Sequence, residues 1–463
     1  MSREPARATL VALAVSLLLA SLLELWLRVA PSYDAFGWLA WGKQTLHLAL
    51  DPSGAPSWKP FTWLLATPAA LTGTVAPGLW VTLSIASGLL ALWLAYRLAA
   101  RLGGAVGGIA AVIGILLCRD LVVYTLTGNS EPFALAFTLG AVESHIAGRR
   151  RLALFLGTLV ALIRPEFAVI LLTYLLWLWR SERRLPPYAL GAALTLPALW
   201  FIPPYLATGH RFSGSDPVFH TGLATPGPLE VISQGVRNLS VPLAILIALG
   251  AATVIYRGPA TRRLALGLGA VCTGWLLASV LMTLVGFPAI QRFTLPAAAT
   301  GCVLAAAGIG FLIDRVRMIS SPLRRVVFGA MAIAIIAASA TTAPARVQRS
   351  VHSIHGDQGR SWWVRNLFSA VDRAGGESAV RRCGWPSSPL PAQSTLAWKL
   401  GLAVGSVGFQ AARDLATHPH VVLFTNDRRA ARSSHRRLLA RAGPWLIVAV
   451  RPPPGCRPTQ RRG

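Results

Sequence analysis

Lysine is almost absent from this 463-residue chain: Lys43, Lys59 and Lys399 are the only ones. Acidic residues are also few, 17 against 44 Lys plus Arg, and charged residues together make up only 13% of the chain. So little charge excludes a large soluble enzyme with a solvated surface. The 54% of hydrophobic residues and the mean hydropathy of +0.54 need a bilayer to take up their apolar surface. Cys-x-x-Cys pairs and His-rich metal patterns are missing. Internal repeats are missing too, which argues against a repeat-built transporter. The net charge of +27 does not point to nucleic acid, because most arginines fall between apolar runs or in the C-terminal tail, where topology signals sit.

The apolar runs predict about eleven transmembrane helices, each close to the ~20 residues a bilayer requires. They lie near 8–30, 77–98, 104–120, 131–147, 152–163, 166–180, 187–207, 239–256, 264–286, 294–313 and 326–344. The first is too long for a signal peptide and lacks a small-residue cleavage site, so it reads as a retained span. The fifth and sixth are short, separated only by "RPEF", and read as a broken hairpin. With the N-terminus in the cytoplasm, Arg97, Arg101, "GRRR" (148–151), "RSERR" (180–184), "YRGPATRR" (256–263) and "DRVRMISSPLRR" (314–325) all fall on the cytoplasmic side. That satisfies the positive-inside rule. Residues 31–76, 208–238 and 345–463 then lie outside the cytoplasm.

The expected fold is therefore an all-α polytopic membrane protein over residues 1–345, followed by a small α/β extracytoplasmic domain over 346–463. In that tail, "SWWVRNLFSAVDRAG" (361–375) predicts an amphipathic helix, and "HVVLFTN" (420–426) and "WLIVAVRP" (445–452) predict short buried strands. "RRAARSSHRRLLARAG" (428–443) predicts a basic helix, solvated or set against anionic lipid headgroups. Cys383 and Cys456 lie in this tail, where an extracytoplasmic location would permit a disulfide. Cys118, Cys272 and Cys302 belong to apolar runs and read as small hydrophobes.

Ionisable groups at a membrane are costly and each needs a reason. Here they gather on the outer side. Asp34 follows the first span, "SWKP" (57–60) sits in the first outer loop, and Arg119 and Asp120 end the third span. "GNSEP" (128–132) opens the fourth, "RPE" (164–166) turns between the fifth and sixth, and "QRF" (291–293) opens the tenth. In the long first outer loop, "DAFGWLAWGKQTLHLAL" is amphipathic and predicts a helix lying flat at the headgroups through Phe36, Trp38, Leu39 and Trp41. "PFTWLLATPAALTG" (60–73) predicts a second interfacial helix.

This order of features resembles the GT-C class of membrane glycosyltransferases, the polyprenyl-phosphate-sugar-dependent enzymes that include protein mannosyltransferases and aminoarabinose transferases. The matching positions are Asp34 after the first span, "WKPF" (58–61) leading into the second interfacial helix, the "RPE" turn, and "QRFTLPA" (291–297), similar to the R-Y-x-x-P opening of a late span. The resemblance covers about residues 8–345 and implies a catalytic acid at Asp34. It departs from the family in one respect. Many members carry paired acids in this loop, whereas Asp34 stands alone, so a second carboxylate would come from Glu131 or Asp51.

The chemistry gives its own reasons for such an arrangement. Transfer from a lipid-phosphate sugar needs a base for the acceptor hydroxyl, which Asp34 would supply. It needs cations for the departing phosphate, and Arg292, Arg164 and Lys59 are the candidates. Glu131 would be a second acid, serving the acceptor or a metal. Trp38, Trp41 and Trp58 would line the substrate groove. The sequence names no cofactor and leaves a divalent cation (Mg or Mn) open. The partners expected are a polyprenyl-phosphate sugar donor, a glycan, lipid or protein acceptor of the cell envelope, and membrane lipids. Plainer roles compete with these: Asp34 as a helix cap, Arg292 and Lys59 as cations reaching for headgroups, Arg164 and Glu166 as a local ion pair, His210 and His220 as solvated side chains. The competing functions are a transporter or lipid flippase and a non-catalytic envelope-assembly protein.

Overall fold

Helices make up most of the described residues. The computed structural model describes residues 4–54, 56–210, 227–239, 247, 259–284, 291–431 and 435–456. Five helical stretches among them are long and apolar enough to cross a membrane. Helix α1 (Glu4–Leu27) leaves Leu10, Val11, Leu18 and Trp26 exposed, which suits a helix bathed in lipid rather than water. Two short helices follow, α2 (Tyr33–Leu46) and α3 (Pro60–Ala70). Next comes α4 (Ala76–Leu116), interrupted where Gly103 and Gly104 leave helical geometry. Gly104 has φ +67, and a Cβ built on Gly107 would lie 3.4 Å from Ala99 O, so the chain doubles back here. The runs expected over 77–98 and 104–120 are the two limbs of this hairpin.

A short α5 (Leu121–Leu126) leads to α6 (Glu131–Ile146), α7 (Arg150–Ile163) and α8 (Phe167–Glu182). These have 16, 14 and 16 residues, short of the ~20 of an ordinary span. Beyond them lie α9 (Pro187–Thr208), α10 (Pro228–Leu239), α11 (Pro259–Leu284), α12 (Leu295–Met318) and α13 (Pro322–Ala340). Helix α12 packs on the α4 hairpin with almost no side chain between them: a Cβ on Gly103 would fall 2.4 Å from Ala306 O, and one on Gly310 would fall 2.2 Å from Gly103 Cα. The run expected over 239–256, apart from residues 239 and 247, and His220 lie outside the described residues.

The C-terminal region begins with α14 (Ala343–Arg373), far longer than the helix expected over 361–375. It continues through α15 (Gly376–Cys383), β1 (Trp385–Ser387), α16 (Gln393–Leu400), α17 (Ala411–Thr417), β2 (Val421–Thr425), β3 (Arg436–Ala442) and β4 (Trp445–Val450). The strands form one sheet in the order β1-β2-β4-β3, with β1 parallel to β2 and the other pairings antiparallel. The basic helix expected over 428–443 is not observed. Arg428–Ala431 is a 3₁₀ turn, and Arg436–Ala442 pairs with β4 across Gly443 and Pro444, Gly443 taking φ +51. Arg, Leu and Ala favour helix in isolation, but strand pairing and burial of Leu439, Ala440 and Ala442 decide otherwise. Cys383 and Cys456 are disulfide-bonded, tying the end of α15 to the segment after β4. Cys118, Cys272 and Cys302 are free and buried.

The expected membrane-surface helix of the first loop needs a second correction. Phe36, Trp38, Leu39 and Trp41 of α2 are at most 1% exposed. Their aromatic face packs on protein: Trp38 lies against Trp80, Trp41 against Trp58, and Phe36 against Phe368 of α14. Ala40 belongs to the core of the C-terminal lobe. Helix α2 is thus roofed by residues more than 300 positions downstream, which no local pattern announces.

Candidate active site

Six charged side chains meet where several helices begin or end. Asp34 stands in the first turn of α2, but it does not cap that helix. Ser32 does so, accepting the Ala35 N–H, and the Asp34 carboxylate is free to accept from Arg292 Nη1 at 2.8 Å. Arg292 belongs to the 3₁₀ turn Gln291–Thr294 that opens α12. Its Nε lies 3.8 Å from Glu131 Oε1 in the first turn of α6. Arg164 occupies the extended break between α7 and α8, at φ −134 and ψ 103. Its Nη2 donates to Glu131, and its Nη1 lies 3.8 Å from Glu166 Oε1. Lys59, extended just before α3, donates from Nζ to Ser130 Oγ at 2.8 Å and stands 4.9 Å from the centre of the Trp38 ring. Phe293 supports both guanidinium groups, 4.5 Å from Arg164 Cζ and 6.0 Å from Arg292 Cζ.

Three carboxylates therefore face three cations in a nearly water-free place. Glu131 is 1% exposed, Arg164 2% and Lys59 4%. Buried ion pairs barely repay their desolvation, and removing one partner strands the other at a cost of about 3–5 kcal/mol. An apolar packing would be cheaper, so the cluster is an expensive feature that folding alone does not call for. Glu131 Oε2, Glu166 Oε2 and Arg164 Nε have no hydrogen-bond partner among the described residues. Such leftover capacity is unusual in a merely structural network and common where a polar ligand binds.

The charges act on one another. Burial alone would raise the Asp34 carboxyl, but Arg292, Lys59 and Arg164 outweigh it and hold the group below its ordinary value. Burial, reinforced by Arg164 and Arg292, pushes the Lys59 ammonium down to about 7. Burial, then the Asp34 charge, raises the Tyr33 phenol, which stays protonated.

The structure thus brings Asp34, Glu131, Arg164, Arg292 and Lys59 together. It does not bring Asp51, whose carboxylate is taken by the Ser53 N–H at 2.9 Å and the Ser53 hydroxyl. Arg119 and Asp120 pair with each other at 3.4 Å, and His210 is exposed. Trp38, Trp41 and Trp58, expected to line an open groove, are at most 2% exposed. They form the packed floor beneath Lys59, and Trp58 Nε1 donates to Leu199 O at 3.1 Å. Ser130 and Phe293 lie within the quoted stretches "GNSEP" and "QRF" with no role expected of them, and Tyr33 had only its place beside Asp34 as a signal. Asp34 and Glu131 are each held by a guanidinium, and among the described residues no group of three His, Cys, Asp or Glu side chains is placed to hold a metal.

No protein-family model matches the chain, and no curated protein matches it. Solved structures do. ArnT from Cupriavidus metallidurans bound to undecaprenyl phosphate superposes with a TM-score of 0.56 at 14% identity, covering 95% of this chain and 97% of ArnT. The apo structure of the same protein gives 0.54 at 14% identity, covering 96% and 98%. A looser likeness, at 0.45 and 13% identity, is to the archaeal oligosaccharyltransferase AglB from Archaeoglobus fulgidus in complex with an inhibitory peptide and a dolichol-phosphate. Over nearly its whole length, then, the chain shares the fold of ArnT.

Proposed function

We propose that this protein is an integral-membrane glycosyltransferase that moves a sugar from a polyprenyl-phosphate donor to an extracytoplasmic acceptor of the cell envelope. The observation that carries the reading is the Asp34 carboxylate held 2.8 Å from Arg292, with Lys59, Arg164 and Glu131 around it. A base, an anion-binding set of three cations and a second acid stand together, as this reaction needs. The likeness to ArnT bound to undecaprenyl phosphate supports the choice of donor. The arginine-poor connections support an outer-side cluster, a cytoplasmic N-terminus and a C-terminal lobe outside the cytoplasm.

The geometry suggests an order of events. Paired with Arg292, Asp34 is a weak base. The donor phosphate competes for the guanidinium, which it grips bidentately, and for the Lys59 ammonium. Asp34 then loses its partner, its proton affinity rises, and it is free to accept from the acceptor hydroxyl. The acceptor oxygen bonds to the anomeric carbon, the bond from that carbon to the phosphate oxygen breaks, and the polyprenyl phosphate leaves on the cations. Glu131 keeps Arg164 and Arg292 in place. No step runs through a metal.

Sugar transfer by the purified protein in lipid nanodiscs, with a panel of polyprenyl-phosphate sugars and an extracted envelope acceptor, tests this. Removal of a general base costs about 10²–10⁴-fold in turnover, so a folded Asp34→Asn variant should fall by that much. Unchanged turnover in that variant would remove Asp34 from the chemistry.

A further inference from the structure

The C-terminal lobe reaches the residue next to Asp34. Gln393, the first residue of α16, is 4% exposed and has every polar atom engaged. Its Nε2 donates to Val407 O at 2.7 Å and Val404 O at 3.2 Å, which fixes the amide orientation and leaves Oε1 to accept. That oxygen accepts the Tyr33 hydroxyl at 2.7 Å. Tyr33 directly precedes Asp34 in the first turn of α2.

The same short segment is gripped elsewhere. Ala30 N–H donates to Ser361 Oγ at 2.8 Å, and Arg360 donates to Ala30 O at 3.2 Å, both from α14. From the opposite side, Ser32 N–H donates to Thr127 O at 2.7 Å, and the Ser32 hydroxyl donates to Asn129 Oδ1 at 3.2 Å. The backbone carrying Asp34 is therefore set between the α6 side of the cluster, which holds Glu131, and the C-terminal lobe. Across α2, Lys43 stands 5.7 Å from the centre of the Trp398 ring of α16, continuing the same contact.

From this geometry we infer that Gln393 is a positioning residue, and that through Tyr33 the C-terminal lobe sets the direction in which the Asp34 carboxylate points. The inference rests on Asp34 being the base of the proposed reaction. Among the described residues one side-chain hydrogen bond joins the lobe to α2 at this point, and it falls on the residue adjoining the carboxylate. A lobe serving only as a roof could have made the same packing through its aromatic contacts alone. Loss of the bond would free the first turn of α2 and let Asp34 drift from Arg292. Arg292, Lys59 and Arg164 would then hold the carboxyl down less firmly, while Glu131 and Tyr33 stay in place.

Two measurements on the full-length protein in nanodiscs test this with Gln393→Leu, Tyr33→Phe and the double variant. The first needs no turnover. An apolar carbodiimide reacts with protonated carboxyl groups, and peptide mass spectrometry gives the pH at which Asp34 is half-labelled. The expected result is a midpoint about one pH unit higher in each variant than in wild type, equivalent to a tenfold weaker hold on the carboxylate. A midpoint that does not move in variants of unchanged thermal stability overturns the inference, whatever the protein transfers. The second uses the transfer assay. Each single variant should lose about tenfold in kcat with the donor KM unchanged, and the double variant should be no worse than either single, because all three lose the same bond. Additive losses, or a loss confined to KM, would also overturn it. Absence of transfer by the wild type counts against the proposed reaction but leaves the labelling result to decide the positioning role.

Discussion

Helix α6 carries a buried glutamate near each end, and the two are held differently. At its start, Glu131 faces Arg164 from the α7–α8 break and Arg292 from the turn before α12. Asp34 of α2 and Lys59 before α3 complete the group. Near its end, Glu143 meets Arg97 at 2.8 Å and Arg101 at 2.9 Å, both from the first limb of α4 and one helical turn apart. Arg97 rests on Trp93, 4.5 Å from its ring centre. The second arrangement follows from one helix lying beside another. The first needs several distant segments to converge, includes three acids, and leaves buried carboxylate oxygens of Glu131 and Glu166 unpartnered. Two buried glutamates on one helix thus separate a clip that joins helices from an assembled site.

Parallel neutralisation of the two glutamates gives the sharpest break of this comparison. Charge-assisted hydrogen bonds are worth about 1.5–3 kcal/mol. If Glu131 holds both guanidinium groups for the donor, Glu131→Gln should lower kcat/KM for transfer about 10–100-fold. Glu143→Gln should leave it within about threefold, because nothing at that end touches the reacting atoms. Equal losses in the two variants would mean that Glu131 contributes only to the fold.

How far the sequence foretold this difference depends on the residue. Asp34, Lys59, Glu131, Arg164 and Arg292 stand out because an ionisable group beside an apolar run is costly, whatever its partners. Glu143 drew no attention, since a glutamate near an arginine-rich connection reads as a surface charge. Tyr33, Ser130 and Phe293 are ordinary residue types whose roles depend wholly on neighbours brought by folding. The burial of Trp38 and Trp41 was hidden for the same reason: an aromatic stripe fits lipid and protein equally well, and only the C-terminal lobe decides. The strand at Arg436–Ala442 was misread because its partner, not its composition, sets its conformation. The break between the runs 77–98 and 104–120 was legible, because Arg97 and Arg101 mark a cytoplasmic connection between two apolar stretches.

The assembled site should also respond to pH in a way the clip cannot. Burial and the two arginines push Lys59 down to about 7, so it loses its charge as pH rises through that value. A bound phosphate favours the ammonium, and donor binding above pH 7 must therefore take up a proton. The donor KM should rise about tenfold per pH unit between 7 and 9, by linkage. Lys59→Arg keeps its charge throughout and should flatten the profile. Profiles that are identical in the two proteins would take Lys59 out of the donor contact.

A smaller effect separates the acid limbs of two rate profiles. The limb of kcat/KM reports the free protein, in which Arg292, Lys59 and Arg164 hold Asp34 below its usual value. The limb of kcat reports the bound state, in which the phosphate has taken Arg292. A carboxyl held low must be protonated at lower pH to lose activity, so the kcat/KM limb should lie about one unit below the kcat limb. Coincident limbs would show that Asp34 keeps its arginine during the reaction and that the exchange of partners does not occur.

The smallest expected change belongs to the clip. Glu143 is buried, but its arginines are 20% and 39% exposed in their side chains, so water already screens the pairs. Such pairs contribute about 1 kcal/mol at most. Glu143→Gln should therefore lower the thermal unfolding temperature slightly, and Arg97→Gln combined with it should add little, because the second change removes a partner already lost. Glu131→Gln offers the opposite sign test in the same measurement. It takes from the buried Arg164 its close carboxylate partner and should cost more stability than Glu143→Gln, and added polyprenyl phosphate should restore part of that loss by placing an anion where the carboxylate was. A phosphate lipid that stabilises the Glu143 variant as much as the Glu131 variant would make the two ends of α6 equivalent, and the distinction drawn between them would fail.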